Sequence, residues 1–106
     1  MFRAGKTRTL GGVEYLDVAW HHESPDYPVR LVSELNDERF EVRKLEFFAD
    51  GRVGFASEHF SALGTQLGTV AVPPLHEINT DPEFEGVNID KAAFEALWGR
   101  HARAAT

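Results

Sequence analysis

A Phe- and Val-rich stretch at residues 45–55 constrains the fold most, because apolar residues alternate on both sides of an Ala-Asp-Gly turn. A two-residue turn sets Glu46 opposite Phe55 and mixes a charge into an apolar face. A three-residue loop with Gly51 in the left-handed conformation instead pairs Phe55 with Leu45. Four apolar side chains then share one face: Leu45, Phe47, Val53 and Phe55. We predict a β-hairpin with the three-residue loop.

Two more strands are predicted before the hairpin. Residues 13–20 alternate, with Leu16 and Trp20 on one face. The loop at 21–28 contains two prolines, which cannot donate hydrogen bonds to a sheet, so the first strand ends there. Residues 29–35 alternate again and predict the second strand.

The third strand, residues 39–48, contains a contradiction in its alternation. Phe40 and Val42 share one face, whereas the apolar residues of the hairpin share the other. Either a β-bulge near Arg43 and Lys44 returns the apolar residues to the core, or both faces of the sheet are covered. We favour the bulge.

The region after the hairpin carries weaker signals. Residues 57–68 predict a polar loop, and a short strand is plausible at 66–72. Pro74 is suited to the first position of a short helix that runs through Asn79. Residues 81–85 then read as an acidic connection that Phe84 holds against the core.

A C-terminal amphipathic helix closes the chain. Asp90 is a suitable N-cap, and Ile89 before it can contact Phe94 in a hydrophobic staple. We expect at least Lys91 to Trp98 to be helical, with the end either at Gly99 or further along the alanine-rich sequence. Its apolar face carries Phe94, Leu97, Trp98 and His101. The fold class is therefore α+β: an antiparallel sheet of four to five strands packed against this helix.

The domain organisation is simple. We predict a flexible basic tail at residues 1–12 and a single α+β domain at residues 13–106.

The chain has no cysteine, which excludes disulfides and thiolate metal sites and suits a reducing compartment. No apolar run approaches the roughly 20 residues that span a bilayer. We expect a cytoplasmic protein without membrane contact.

Acidic residues are concentrated in two segments of this chain, whose net charge is −6. Residues 13–38 hold seven acids against one arginine, and residues 77–95 hold six against one lysine. Such surfaces repel phosphate backbones and attract cations. The charge argues against nucleic-acid binding and permits a basic protein partner, although a merely solubilising surface accounts for it as well.

Metal and acid–base chemistry are both weakly indicated. His21 and His22 neighbour two carboxylates, yet adjacent residues at a strand end point to opposite faces, so we predict neither a metal site nor a cofactor. Glu58 with His59, supported by Arg43 or Arg52, resembles the groups of a small ribonuclease. A further pair for hydrolysis is His22 with Glu23. The acidic balance disfavours RNA cleavage.

A binding function is the third candidate, because the sequence has many carboxylates beside aromatic residues, and such residues can form an interface. The alternative is a purely structural role, in which the aromatic side chains belong to the core and the acidic side chains face water. The predicted binding residues are Trp20, His21, His22, Glu23, Asp26, Tyr27, Glu77, Asp81, Glu83 and Glu85.

The order of several motifs also resembles a family of small, uncharacterised bacterial proteins. The residues that carry the resemblance are Tyr15, Leu16, Trp20 to His22, Glu41 to Lys44, Asp50 to Gly54, Pro73 to Leu75, Ile78, Asn79, Asp81, Pro82, Phe84 and Phe94 to Trp98. The resemblance implies a single domain and carries no assigned activity.

These observations favour a non-enzymatic acidic binding protein, for example an immunity or inhibitor protein for a basic partner such as a toxin. The alternative is a small hydrolase or ribonuclease that uses a His/Glu pair. We expect a monomer or a weak homodimer.

Overall fold

A computed structural model describes residues 12–102, so nearly all of the predicted basic tail and the last four residues lie outside it. The described elements are β1 (Glu14–Trp20), β2 (Arg30–Leu35), β3 (Glu41–Phe47), β4 (Val53–Ser57), β5 (Ser61–Ala62), α1 (Leu75–Ile78), β6 (Phe84–Ile89) and α2 (Lys91–His101). The six described strands form one antiparallel sheet in the order β5-β4-β3-β2-β1-β6. The α+β class is confirmed, with more strands than the four to five expected.

The predicted hairpin forms between β3 and β4. Phe47 lies opposite Val53, and Leu45 lies opposite Phe55. Gly51 has a φ of 95°, in the left-handed region where a side chain is strained. The three-residue loop is therefore confirmed, and its register places the four apolar side chains on one face as expected.

Helix α2 covers this face of the sheet, which we call the helix face. The Asp90 carboxylate accepts a hydrogen bond from the Ala93 amide at 2.8 Å, which confirms the predicted N-cap. The helix continues through Gly99 to His101, so the longer of the two predicted ends is found. The core of the helix face contains Val32, Leu45, Phe55, Phe94 and Ala102, flanked by Tyr15, Phe47, Val53, Ala62, Ile89, Leu97 and Trp98.

Arg43 joins the sheet to the helix at the border of this core. Its guanidinium lies 4.8 Å from the ring centroid of Phe94 and 5.2 Å from that of Trp98. The same group pairs with Glu95 at 2.7 Å and with Glu34. Hydrogen bonding to Glu95 raises the pKa of Arg43 above its ordinary value and lowers the pKa of Glu95.

The opposite side of the sheet, which we call the second face, is covered by the irregular segment 65–73. The prediction of a strand at 66–72 is wrong, because this segment is held mostly by side chains of β3, with a backbone hydrogen bond from the Val72 amide to the Arg39 carbonyl at its end. The contacts are those of Glu46 with the Thr65 hydroxyl (2.8 Å), Lys44 with the Gln66 carbonyl (3.0 Å) and Glu41 with the Gly68 amide (2.6 Å). A chain fastened by side chains need not adopt the extended geometry of a ladder.

A β-bulge allows β3 to hold the segment in this way. The register of β2 against β3 shifts at Val42, next to the predicted position near Arg43 and Lys44. The extra residue places Glu41 on the second face beside Lys44. Phe40 and Val42 stay 36% and 38% exposed, so the expectation that a bulge returns them to the core is wrong. Both faces of the sheet are covered instead.

Strand β6 lies at the edge of the sheet beside β1. The prediction of an acidic connection ending at residue 85 is corrected, because Phe84 begins a strand. The side chain of Asn79 brackets Gly86, accepting from its amide at 2.7 Å and donating to its carbonyl at 3.0 Å. The carboxamide thereby replaces a neighbouring strand at this point of the edge. Asn79 directly follows helix α1, which forms in the predicted place but is shorter than expected, since Pro74 and Asn79 are its caps rather than its first and last residues.

Candidate binding site

The pairing of β1 with β6 brings the two predicted acidic regions together. Trp20 lies opposite Phe84 at the end of this strand pair. The His21 amide donates to the Glu83 carbonyl at 2.7 Å, and the Trp20 indole N–H donates to the Glu83 carboxylate at 3.2 Å. The loop after β1 and the turn before β6 therefore lie side by side, although they are far apart in sequence.

Four rings meet at this point and form what we call the aromatic cluster: Trp20, His22, Tyr27 and Phe84. The centroid of the Trp20 ring lies 4.5 Å from that of His22, 5.6 Å from that of Phe84 and 5.8 Å from that of Tyr27. Tyr27 is 56% exposed, whereas the other three are partly buried. The cluster thus exposes the ring of Tyr27, which lies against three partly buried rings.

His22 shapes the loop that carries Tyr27. Its Nε2 lies 2.8 Å from the Pro28 carbonyl, and its Nδ1 accepts a hydrogen bond from the Ser24 amide at 3.0 Å. Because a carbonyl only accepts, the proton belongs on Nε2. With both ring nitrogens engaged, His22 positions the loop and is poorly placed as a general base or a metal ligand.

Five carboxylates from the loop after β1, the turn before β6 and the start of β6 form what we call the carboxylate rim: Glu23, Asp26, Asp81, Glu83 and Glu85. All five residues are exposed. Glu85 lies 2.9 Å from His21 Nε2, and the other four have no ion pair with another described residue. The rim therefore keeps a negative charge at the edge of the aromatic surface.

One predicted binding residue, Glu77, lies apart from the rim. It lines a cavity of about 380 Å³ on the second face. The lining residues are Leu16, Val18, Leu31, Ser33, Glu41, Val72, Pro73, Glu77, Ile78, Asp81 and Phe84. Sequence reasoning missed this cavity, although the apolar residues on the second face of β2 were a signal that something covers them.

The groups of the alternative catalytic site are not assembled. His59 and Glu58 are 3.8 Å apart, beyond hydrogen-bond distance, and both side chains are largely exposed. Arg43 is engaged by two carboxylates on the helix face, and Arg52 pairs with Asp50 at 2.7 Å. Across residues 12–102, no three His, Asp or Glu side chains are placed to share a metal ion.

Comparison with known proteins places the chain in a family. Residues 14–103 match the family described as "Domain of unknown function (DUF6881)", a range that includes every described element. The chain belongs to this family. The predicted resemblance to an uncharacterised family is thereby confirmed. No curated protein and no solved structure matches the chain.

The DUF6881 match includes the whole aromatic cluster and the whole carboxylate rim. It also includes the segment that covers the second face and forms the walls of the cavity. Within the described part of this DUF6881 domain, no helix has the length and apolar character needed to cross a membrane.

Proposed function

We propose that this DUF6881 domain is a non-enzymatic binding protein that docks a basic protein on the aromatic cluster and the carboxylate rim. The observation that carries the proposal is the β1–β6 pairing, which gathers carboxylates from two distant segments around one set of rings. Interfaces of this type combine aromatic anchors with a charged edge. An immunity or inhibitor protein, which occupies the cationic surface of its target, is the class that this arrangement fits.

The chemistry of the surface defines the partner. Exposed carboxylates attract lysine and arginine side chains from a distance and raise the rate of association. An arginine can also stack on the open ring of Tyr27 or on the partly buried ring of Trp20. Phosphate groups are repelled by the same field, so nucleic acid is not the expected partner.

Affinity capture from the native cell with the full chain as bait, followed by mass spectrometry, tests the proposal. A basic protein is expected to co-purify. The double variant Glu83→Lys, Glu85→Lys reverses two charges of the rim, and we expect it to weaken that interaction by at least about tenfold, since charge reversal across a close interface costs more than 1.4 kcal/mol.

The matched control is Asp37→Lys with Glu38→Lys. These two acids are also exposed and adjacent to each other, but they lie in the turn after β2, at the opposite end of the sheet from Trp20. The control should retain the partner. Failure to recover any basic protein, or equal loss of binding in both double variants, contradicts the proposal.

A further inference from the structure

The cavity on the second face has the form of a small-molecule site. Its floor is formed by β1 and β2, and its walls come from the segment around Pro73, from α1 and from Phe84. At about 380 Å³ it falls within the usual size range of ligand pockets, toward the small end. Seven of its eleven lining residues are apolar: Leu16, Val18, Leu31, Val72, Pro73, Ile78 and Phe84. The cavity suits the apolar body of a compact ligand.

Ser33 places one polar group on the floor of this cavity. The residue is 7% exposed, and its hydroxyl has no hydrogen-bond partner within residues 12–102. Two other buried polar residues on this face do have partners: Thr65 donates to Glu46, and Lys44 donates to the Gln66 carbonyl. A buried hydroxyl without a partner is costly, so this one indicates a ligand that carries a hydrogen-bonding group.

The charged residues of the cavity determine the sign of the ligand. Glu41 is already neutralised by Lys44 at 2.9 Å. Glu77 and Asp81 are exposed and have no ion pair with another residue between 12 and 102. Two carboxylates therefore face solvent where α1 and the following turn border the cavity, and they favour a cation there.

The wall of the cavity is fastened in place by Arg39. Its guanidinium donates to the carbonyls of Val72 and Pro73 and to Glu14, each at 2.8 Å. The Arg39 carbonyl accepts from the Val72 amide at 2.8 Å. Arg39 itself has a φ of 68°, a conformation that a residue with a side chain keeps only when its contacts hold it. A wall fixed in this way needs little ordering when a ligand binds.

We propose that this cavity binds a small organic amine that has an apolar body and a hydrogen-bonding group at the end remote from the nitrogen. The hydrogen-bonding group meets Ser33, the body lies between Leu16, Leu31 and Val72, and the ammonium group meets Glu77 and Asp81. This site shares only Phe84 and Asp81 with the proposed protein-binding surface.

Calorimetric titration of the full chain with tyramine tests the proposal, because tyramine carries a phenol and an ammonium group on a compact apolar body. Saturable binding is expected. Phenethylamine, which lacks the hydroxyl, should bind about two- to tenfold more weakly, as one lost hydrogen bond predicts. The anion 3-(4-hydroxyphenyl)propionate should bind more weakly still. Absence of saturable tyramine binding, or equal binding of the anion, overturns the proposal.

Two variants assign the contacts. Ser33→Ala should weaken tyramine binding by about two- to tenfold and leave phenethylamine binding within about twofold. Glu77→Gln should weaken both amines, whereas Glu58→Gln, the same change at an exposed carboxylate away from the cavity, should weaken neither. Loss of both amines to the same extent in Ser33→Ala contradicts the assigned contact.

A further measurement separates this site from the protein-binding surface. Tyramine should shift the backbone amide signals of Val72 and Ile78 in nuclear magnetic resonance spectra, and it should bind normally to the variant Glu23→Lys, Asp26→Lys, which reverses two charges of the rim outside the cavity lining. Shifts confined to the loop of Tyr27 would place the amine on the aromatic cluster and overturn the proposal. Because that variant is expected to lose the basic protein and keep tyramine, the two proposals can fail separately.

Discussion

His101, one of the titratable residues of α2, should couple the stability of the fold to pH. Its ring packs edge-on against Phe47, with the centroids 5.1 Å apart. Burial lowers the pKa of His101, and the positive charges of Arg100 and Arg30 lower it further. The folded chain therefore binds this proton less readily than the unfolded chain does. The resulting stabilisation is complete above the unfolded pKa of about 6.5 and is lost as the pH falls through the lower, folded value.

The replacement His101→Gln should accordingly flatten the pH dependence of stability. In urea denaturation at intervals from about pH 7.5 to about pH 5, the free energy of unfolding of the native chain should fall more than that of the variant. His59→Gln is the control, because that side chain is 77% exposed. Equal slopes for the native chain and His101→Gln would exclude the coupling.

Two glycines show how differently the elements of the fold are packed. In β4, a Cβ atom on Gly54 would lie 2.1 Å from the Thr65 hydroxyl oxygen and 3.0 Å from the Ala62 carbonyl oxygen. In α2, a Cβ atom on Gly99 would have nothing within 4 Å. The strand is thus pressed against the segment over the second face, whereas the helix surface at Gly99 is open.

Alanine at these two positions should have opposite effects on the free energy of unfolding. Gly54→Ala forces the segment over the second face away from the sheet and should destabilise the fold by about 1–3 kcal/mol. Gly99→Ala improves helix propensity and should stabilise it by about 0.5–1 kcal/mol. Thermal and urea denaturation of both variants measure the difference. A neutral Gly54→Ala would show that the close approach to Thr65 is not maintained in solution.

At the scale of the whole molecule, the sheet is covered on both faces, and each side carries one tryptophan. Trp98 stacks on Phe94 in the core of the helix face. Trp20 packs on Phe84, which also lines the cavity of the second face. The two indoles therefore report separately on the two layers that cover the sheet.

If residues 13–106 form a single domain, the two layers should unfold together. Trp20→Phe leaves Trp98 as the only indole, and Trp98→Phe leaves Trp20. In each variant we expect the urea midpoint from fluorescence to coincide with the midpoint from far-ultraviolet circular dichroism. A Trp20 signal that changes at lower urea than the circular dichroism would show that the second-face layer opens independently.

The elements that depend on neighbours along the chain could be predicted from the amino-acid sequence. The hairpin loop followed from which register kept Glu46 away from Phe55, and helix α2 followed from the cap at Asp90 and its apolar spacing. The acidic and aromatic character of the candidate binding site was also visible, because it is a property of composition. Such features need only local geometry and the separation of charge from apolar surface.

Contacts between segments that are distant in sequence could not be predicted and are seen in the folded chain. Strand β6 forms because it pairs with β1. The position of the segment around Gly68 is set by side chains of β3 rather than by a hydrophobic pattern in the segment's own sequence. The union of the two acidic regions, the role of His22 in its loop and the cavity above Ser33 all arise from contacts between residues distant in sequence. Alternation along a strand shows that a face is covered, but the covering partner is chosen by the packing of the whole chain.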